Sequence, residues 1–151
     1  MKKVVKTSLP ACSELHSRVE PADFLDCYCV ESEMPARAAA QIAFDPPIWT
    51  EALIKLRNVL VSPWGLTTAI SEEAESAGMF PIDSETEEEL VVGFDDKHLN
   101  FRISVLQDQG QVYLATWVRT NNLGGRLYLG TILPFHILIV RNALKRVSVK
   151  S

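Results

Sequence analysis

The run from Leu127 to Val140 restricts the fold more than any other feature of the chain. It is 14 residues long, lies between Arg126 and Arg141, and carries no Asp, Glu, Lys or Arg. A membrane-spanning helix needs about 20 apolar residues, and Gly130, Thr131, Pro134 and His136 interrupt this one. The reading is therefore a helix buried in a protein core, with no membrane span. Asn121 or Asn122 is the expected cap, and the helix is expected to run to about Val147. Pro134 removes the hydrogen bond to the Gly130 carbonyl, which predicts a kink. So apolar a helix must be covered by another layer.

The rest of the sequence supplies that layer as strands. Asp23–Val30 has the length and aromatic content of a first strand, and Leu90–Phe94 reads as another. Leu99, Phe101, Ile103 and Val105 alternate with Asn100, Arg102 and Ser104, a period of two. Gln111–Arg119 is apolar on both faces, with Val112, Leu114 and Val118 set against Tyr113, Ala115 and Trp117. Asp95-Asp96-Lys97-His98 and Asp108-Gln109-Gly110 are the turns between them. Met79–Ile82 reads as a short strand that Pro81 confines to an edge. Glu85, Glu87, Glu88 and Glu89 read as a solvated turn or the start of a strand. Two short helices follow the first strand: an Ala-rich one over 35–44, and one carrying Trp49, Leu53, Leu56 and Leu60 on a single stripe. Residues 1–22 read as an irregular lead-in and 23–151 as a single domain. The expected class is α+β, an antiparallel sheet covered by a long C-terminal helix.

Composition narrows the function classes. At 151 residues, 47% hydrophobic and 23% charged, the chain can bury a core without a disulfide or metal. A net charge of −4 gives no general attraction to phosphate backbones, so no nucleic-acid partner is expected. Arg141, Lys145, Arg146 and Lys150 favour the end of the last helix through its macrodipole. Lys2, Lys3 and Lys6 precede no apolar core, so no signal peptide is read and a cytoplasmic location is expected. Three cysteines, an odd number, do not fit a secreted disulfide framework.

Several blocks carry a family resemblance. Gly93-Phe94-Asp95-Asp96-Lys97-His98-Leu99-Asn100-Phe101-Arg102 is the longest. Trp117-Val118-Arg119-Thr120-Asn121-Asn122 follows, then Gly125-Arg126-Leu127-Tyr128-Leu129 through Pro134-Phe135-His136. Leu56-Arg57-Asn58 with Pro63-Trp64-Gly65-Leu66 precedes them. Together they resemble the bacterial domain-of-unknown-function family 2867, over roughly residues 23–146. Ile137 stands where that pattern often carries a basic residue. The order of elements also resembles the helix-grip fold of the START-like, pollen-allergen-like and polyketide-cyclase-like superfamily. That resemblance implies a curved sheet around the C-terminal helix, with a cavity between them. There is no Gly-x-Gly-x-x-Gly, and no cofactor is expected.

The polar residues to weigh as ligand-binding are Asp95, Asp96, His98, Arg102, Arg119, Asn121 and His136, with Tyr128 and Pro134 on the final helix. Two carboxylates and a histidine could serve as acid and base. Alternation, however, places His98 and Arg102 opposite Leu99, Phe101 and Ile103, so an Asp–Arg pair bridging strands is the plainer reading. His136 is either a hydrogen-bonded core histidine or a ligand contact beside the Pro134 kink. Trp49, Phe101, Trp117, Tyr128 and Phe135 are expected to line the cavity. Cys12, His16, Cys27 and Cys29 lack a recognised zinc spacing, and no metal is expected. The leading expectation is a domain that holds a small apolar or amphipathic ligand between sheet and helix. A cyclase- or hydrolase-like enzyme using His and Asp, and a protein-interaction module without a cavity, are the alternatives. The sequence does not specify an oligomeric state. Pro134→Ala and His136→Leu are each expected to raise or preserve the melting temperature while weakening ligand retention.

Overall fold

The computed structural model describes residues 3–43, 76–77, 80–95 and 99–150. Seven strands form one antiparallel sheet: β1 (Val5–Lys6), β2 (Phe24–Glu31), β3 (Ser76–Ala77), β4 (Phe80–Glu85), β5 (Glu89–Asp95), β6 (Leu99–Asp108) and β7 (Gln111–Thr120). Their order is β1-β2-β7-β6-β5-β4-β3. The first long strand thus pairs with the last, and the others return towards the far edge one neighbour at a time. Helix α1 (Ala36–Ala43) follows β2, and α2 (Leu123–Lys150) closes the chain. The class expected from the sequence, an α+β domain with an antiparallel sheet and a long C-terminal helix, is what forms. The expected second helix at Trp49–Leu60 lies outside the described residues.

Alternation sorts each strand's side chains onto two faces. On one face Tyr28, Val30, Leu90, Val92, Val105, Val112 and Leu114 pack with Ala39, Ala40 and Ala43 of α1. Val140, Ala143, Leu144 and Val147 of α2 complete that core. Their spacing of three, four and seven residues makes one helical stripe. Among the described residues of α2, these four supply the fully buried apolar side chains, and Gly125 is buried near its start. Leu127, Ile137 and Leu138 are exposed, and so are Gly130 and Pro134. The expectation that Leu127–Val140 is buried is met only in part: among the described side chains Leu129, Leu133, His136 and Ile139 are half-buried, and full burial begins at Val140. Leu123–Thr131 and His136–Lys150 meet at 55° around Pro134, the kink expected from the proline. No single helix among the described residues is long and apolar enough to cross a membrane; the two halves of α2 reach that length only together, across the bend.

The opposite face has its own cover. The chain before β2, read as an irregular lead-in, adds the edge strand β1 and a 3-10 turn over Glu14–Ser17. Leu15 packs there with Cys27, Val91, Ala115 and Trp117. Trp117, expected to line a cavity beneath the helix, is on this side. The helix-facing residues of β7 are Val112, Leu114, Thr116 and Val118, which leaves Trp117 on the other parity. Glu89, expected in solvent with its acidic neighbours, is also buried here, 3% exposed. Ser13 Oγ donates to its Oε2 at 2.6 Å, Ser104 Oγ at 2.5 Å, and the Glu14 amide to Oε1 at 2.9 Å. Those donors replace the water that a carboxylate loses on burial.

Two positions need backbone freedom. Gln109 and Gly110 both have positive φ, 49° and 75°, the signature of a two-residue hairpin turn between β6 and β7. Gly93 in β5 has φ 136°, and a Cβ there would overlap the Phe101 carbonyl oxygen and come within 3.0 Å of Arg102 Cα.

The cysteines give a direct check of this layering. Cys27 and Cys29 are buried and Cys12 is exposed. Burial, then the neighbouring Cys29 and Asp26, push the Cys27 thiol up to about 12. Burial also raises Cys29. One thiol is expected to react with dithionitrobenzoate in the folded protein and three in denaturant, since the thiolate is the nucleophile. The Cys12 reaction should accelerate with rising pH, because partial burial and Asp108 raise that thiol as well. More than one reactive thiol in the folded state would contradict the packing of the β2 side chains.

Candidate functional site

The residues singled out from the sequence divide between the two faces. Arg102 is 5% exposed and points away from α2. Its Nη1 lies 3.0 Å from Asp95 Oδ1 and its Nε 3.3 Å from Asp83 Oδ2, and Asp83 also takes Arg18 at 3.0 Å. This is the strand-bridging Asp–Arg pair, extended by a second arginine. Asp96 and His98 lie outside the described residues. Asn121 is exposed and donates to Asn100 Oδ1 at 3.1 Å, while Asn122 caps α2 by accepting from the Gly125 amide at 3.0 Å. Pro134 is exposed at the kink. Tyr128 is in α2, but its side chain and that of Phe135 lie outside the described residues, as does Trp49.

Arg119 fastens the start of β2 to β7. It donates to Asp23 from Nε at 3.2 Å and from Nη2 at 3.0 Å, and from Nη2 to the Arg18 carbonyl at 2.8 Å. Trp117 Nε1 donates to the same carboxylate at 2.8 Å, and the guanidinium sits 5.2 Å from the Trp117 ring centre. The Arg119 hydrogen bonds, helped by those from Trp117 and the Glu20 amide, hold the Asp23 carboxyl below its ordinary range against the opposing effect of burial. A carboxylate with a depressed pKa stabilises the folded state above its ordinary pKa, and this stabilisation is lost as pH falls through the depressed value. Asp23→Asn is therefore expected to lower stability at pH 7 by about 1–2 kcal/mol. The gap to wild type should narrow once pH drops below about 4. Thermal unfolding of both proteins from pH 7 to pH 3 checks this, and a gap that widens in acid would refute it.

Among the described residues, His136 is the sequence-selected side chain that makes a polar contact on the α2 face. Its Nε2 is 3.0 Å from Asp26 Oδ2, and its ring meets Phe24 edge-on with centres 6.2 Å apart. The kink brings this turn of α2 over β2. Asp26 is on the same face as Tyr28 and Val30 and is 6% exposed. Thr116 is its partner across the β2–β7 pair, with Ile103 on the other side. Asp26 Oδ1 and Thr116 Oγ1 are both buried without a hydrogen-bond partner among the described residues. Each such atom costs about 1–3 kcal/mol when left bare, so two side by side next to a histidine are not explained by packing alone.

Asp26 and Thr116 were not selected from the sequence, although there was a signal. Each is a polar residue at a core-facing position of a strand whose neighbours of the same parity are apolar. Asp95 is on the other face of the sheet from His136, so an acid–base pair of those two does not form. Among the described residues no group of three or more His, Cys, Asp or Glu side chains is placed to hold a metal ion. His16 bonds the Pro10 carbonyl at 2.9 Å, and Cys27 is on the buried face of β2.

An antiparallel sheet, a kinked C-terminal helix and a small polar cluster between them make this a mixed α+β protein. Residues 18–143 match the family described as "Protein of unknown function (DUF2867)", and the chain belongs to that family. No curated protein and no solved structure matches it.

Proposed function

We propose that this protein is a small-molecule-binding domain of helix-grip architecture. It holds an amphipathic ligand between the sheet and α2, with the polar end at Asp26, Thr116 and His136. The observation that carries the reading is the pair of buried, partnerless atoms, Asp26 Oδ1 and Thr116 Oγ1, beside His136. Apolar walls with a few convergent polar groups are the usual composition of a ligand site. The helix-grip assignment is supported by the pairing of the first long strand with the last and by the helix across their face.

A second reading, an enzyme of the cyclase or hydrolase kind, draws on the same contact. A buried carboxylate that orients a histidine is a common arrangement for a general base. Native mass spectrometry of the protein purified from its own host tests the binding reading. A stoichiometric retained small molecule, diminished in Thr116→Val, is expected. Bare protein at every preparation, with an interior that excludes small apolar probes, would favour the protein-interaction alternative.

A further inference from the structure

We infer that the ligand group seated at Asp26, Thr116 and His136 is a hydroxyl, so that the site takes neutral alcohols or phenols on an apolar body; this rests on the binding reading above. Asp26 Oδ2 is engaged by His136 at 3.0 Å, whereas Oδ1 is a buried acceptor with no donor among the described residues. Directly across the strand pair, the buried Thr116 hydroxyl has one proton to give and lone pairs to fill. One hydroxyl answers both needs: it donates to Asp26 Oδ1 and accepts from Thr116 Oγ1.

Other polar groups answer less. A carboxylate or phosphate ester brings like charge to Asp26 and no proton for Oδ1. An ether or ketone accepts from Thr116 but leaves Oδ1 bare. An ammonium donates to both oxygens, yet leaves the Thr116 proton without an acceptor. It must also shed its water beside Phe24, Ile103 and Val118, which is costly for a full charge. A neutral hydroxyl loses much less on the same transfer. A single water molecule makes the same two bonds, so a ligand hydroxyl can replace it without a polar loss.

The test titrates isotope-labelled protein with 1-octanol, methyl octyl ether, octanoate and octylammonium, following the Thr116 amide and the His136 ring by NMR. The expected result is octanol binding about tenfold or more tighter than each of the other three, on the order of one hydrogen bond. Thr116→Val keeps the side chain's shape, removes only a hydroxyl without a partner, and should fold as wild type. It is expected to weaken octanol and the ether by a similar factor, because both accept from Thr116, and to preserve the octanol–ether difference, which comes from donation to Asp26 Oδ1. Equal affinities for octanol and ether, or a preference for either charged probe, overturn the hydroxyl assignment and leave the binding reading standing. If none of the four shifts either signal, the assignment also falls. If the purified protein then retains no molecule by native mass spectrometry, the binding reading falls with it.

Discussion

Gly93→Ala is expected to lower the unfolding free energy by about 3–5 kcal/mol, the upper end of the range for a single substitution. Two costs coincide there. The backbone φ of 136° is one that L side chains rarely adopt. The added methyl would also overlap the Phe101 carbonyl oxygen on β6. That carbonyl has little room to move, because Arg102 Nη1 donates to it at 2.7 Å. Arg102 is in turn held between the carboxylates of Asp83 and Asp95. Relieving the overlap would separate β5 from β6 in the middle of the sheet or release a buried guanidinium from its partners. Gly110→Ala is the control: its φ is also positive, at 75°, but nothing lies within 4 Å of the added atom. Only the conformational penalty applies, about 1–2 kcal/mol. Urea unfolding of both variants measures the contrast, and equal losses would show that the close approach of β5 to β6 does not exist.

Gly93 opens the longest block of the family pattern, and its strand pairing accounts for its place there without any catalytic role. The same block ends at Arg102, whose task is also structural, as it joins β4, β5 and β6 behind the sheet. Strand alternation alone foretold that orientation. The period-two run from Leu99 to Val105 by itself puts Arg102 on the side opposite Phe101 and Ile103. The kink at Pro134 and the cap near Asn122 were legible for equally local reasons: a missing amide proton and a short side-chain acceptor. What could not be read locally was which side chains of the last helix the sheet would bury, because in a run apolar all round, exposed Leu127, Ile137 and Leu138 look the same as buried Leu144. Nor does the sequence around residues 14–17 announce that it will cover the back of the sheet, since Leu15 is a single apolar residue among polar ones. Its burial depends on Trp117, a hundred residues away. The polar interior was half legible. His136 stood out in an apolar helix, but its partner Asp26 came from a strand where an acidic residue is equally at home facing water.

That partner reverses one expectation derived from the sequence. His136→Leu, expected to raise or preserve the melting temperature, is instead expected to lower stability by about 2–3 kcal/mol at pH 7. Read alone, the histidine is a polar group in an apolar helix, and leucine should pack better. In the structure its loss would leave the buried Asp26 carboxylate with no hydrogen-bond donor at either oxygen, because Oδ1 already lacks one. Removing one member of a buried pair exposes the other to its full desolvation cost. The double variant Asp26→Leu with His136→Leu should recover most of that loss, since replacing both members by apolar side chains removes the charge along with its partner. Pro134→Ala keeps its original sign, because Pro134 is exposed and the substitution restores a helix hydrogen bond to Gly130 without touching Asp26. Urea unfolding of the two single variants and the double variant yields the coupling energy directly. A strong deficit in His136→Leu that the double variant repairs would locate the histidine's role in holding Asp26 in place. A double variant with the summed loss of the two single variants would mean that the residues act independently, and the polar cluster would then lose its central contact.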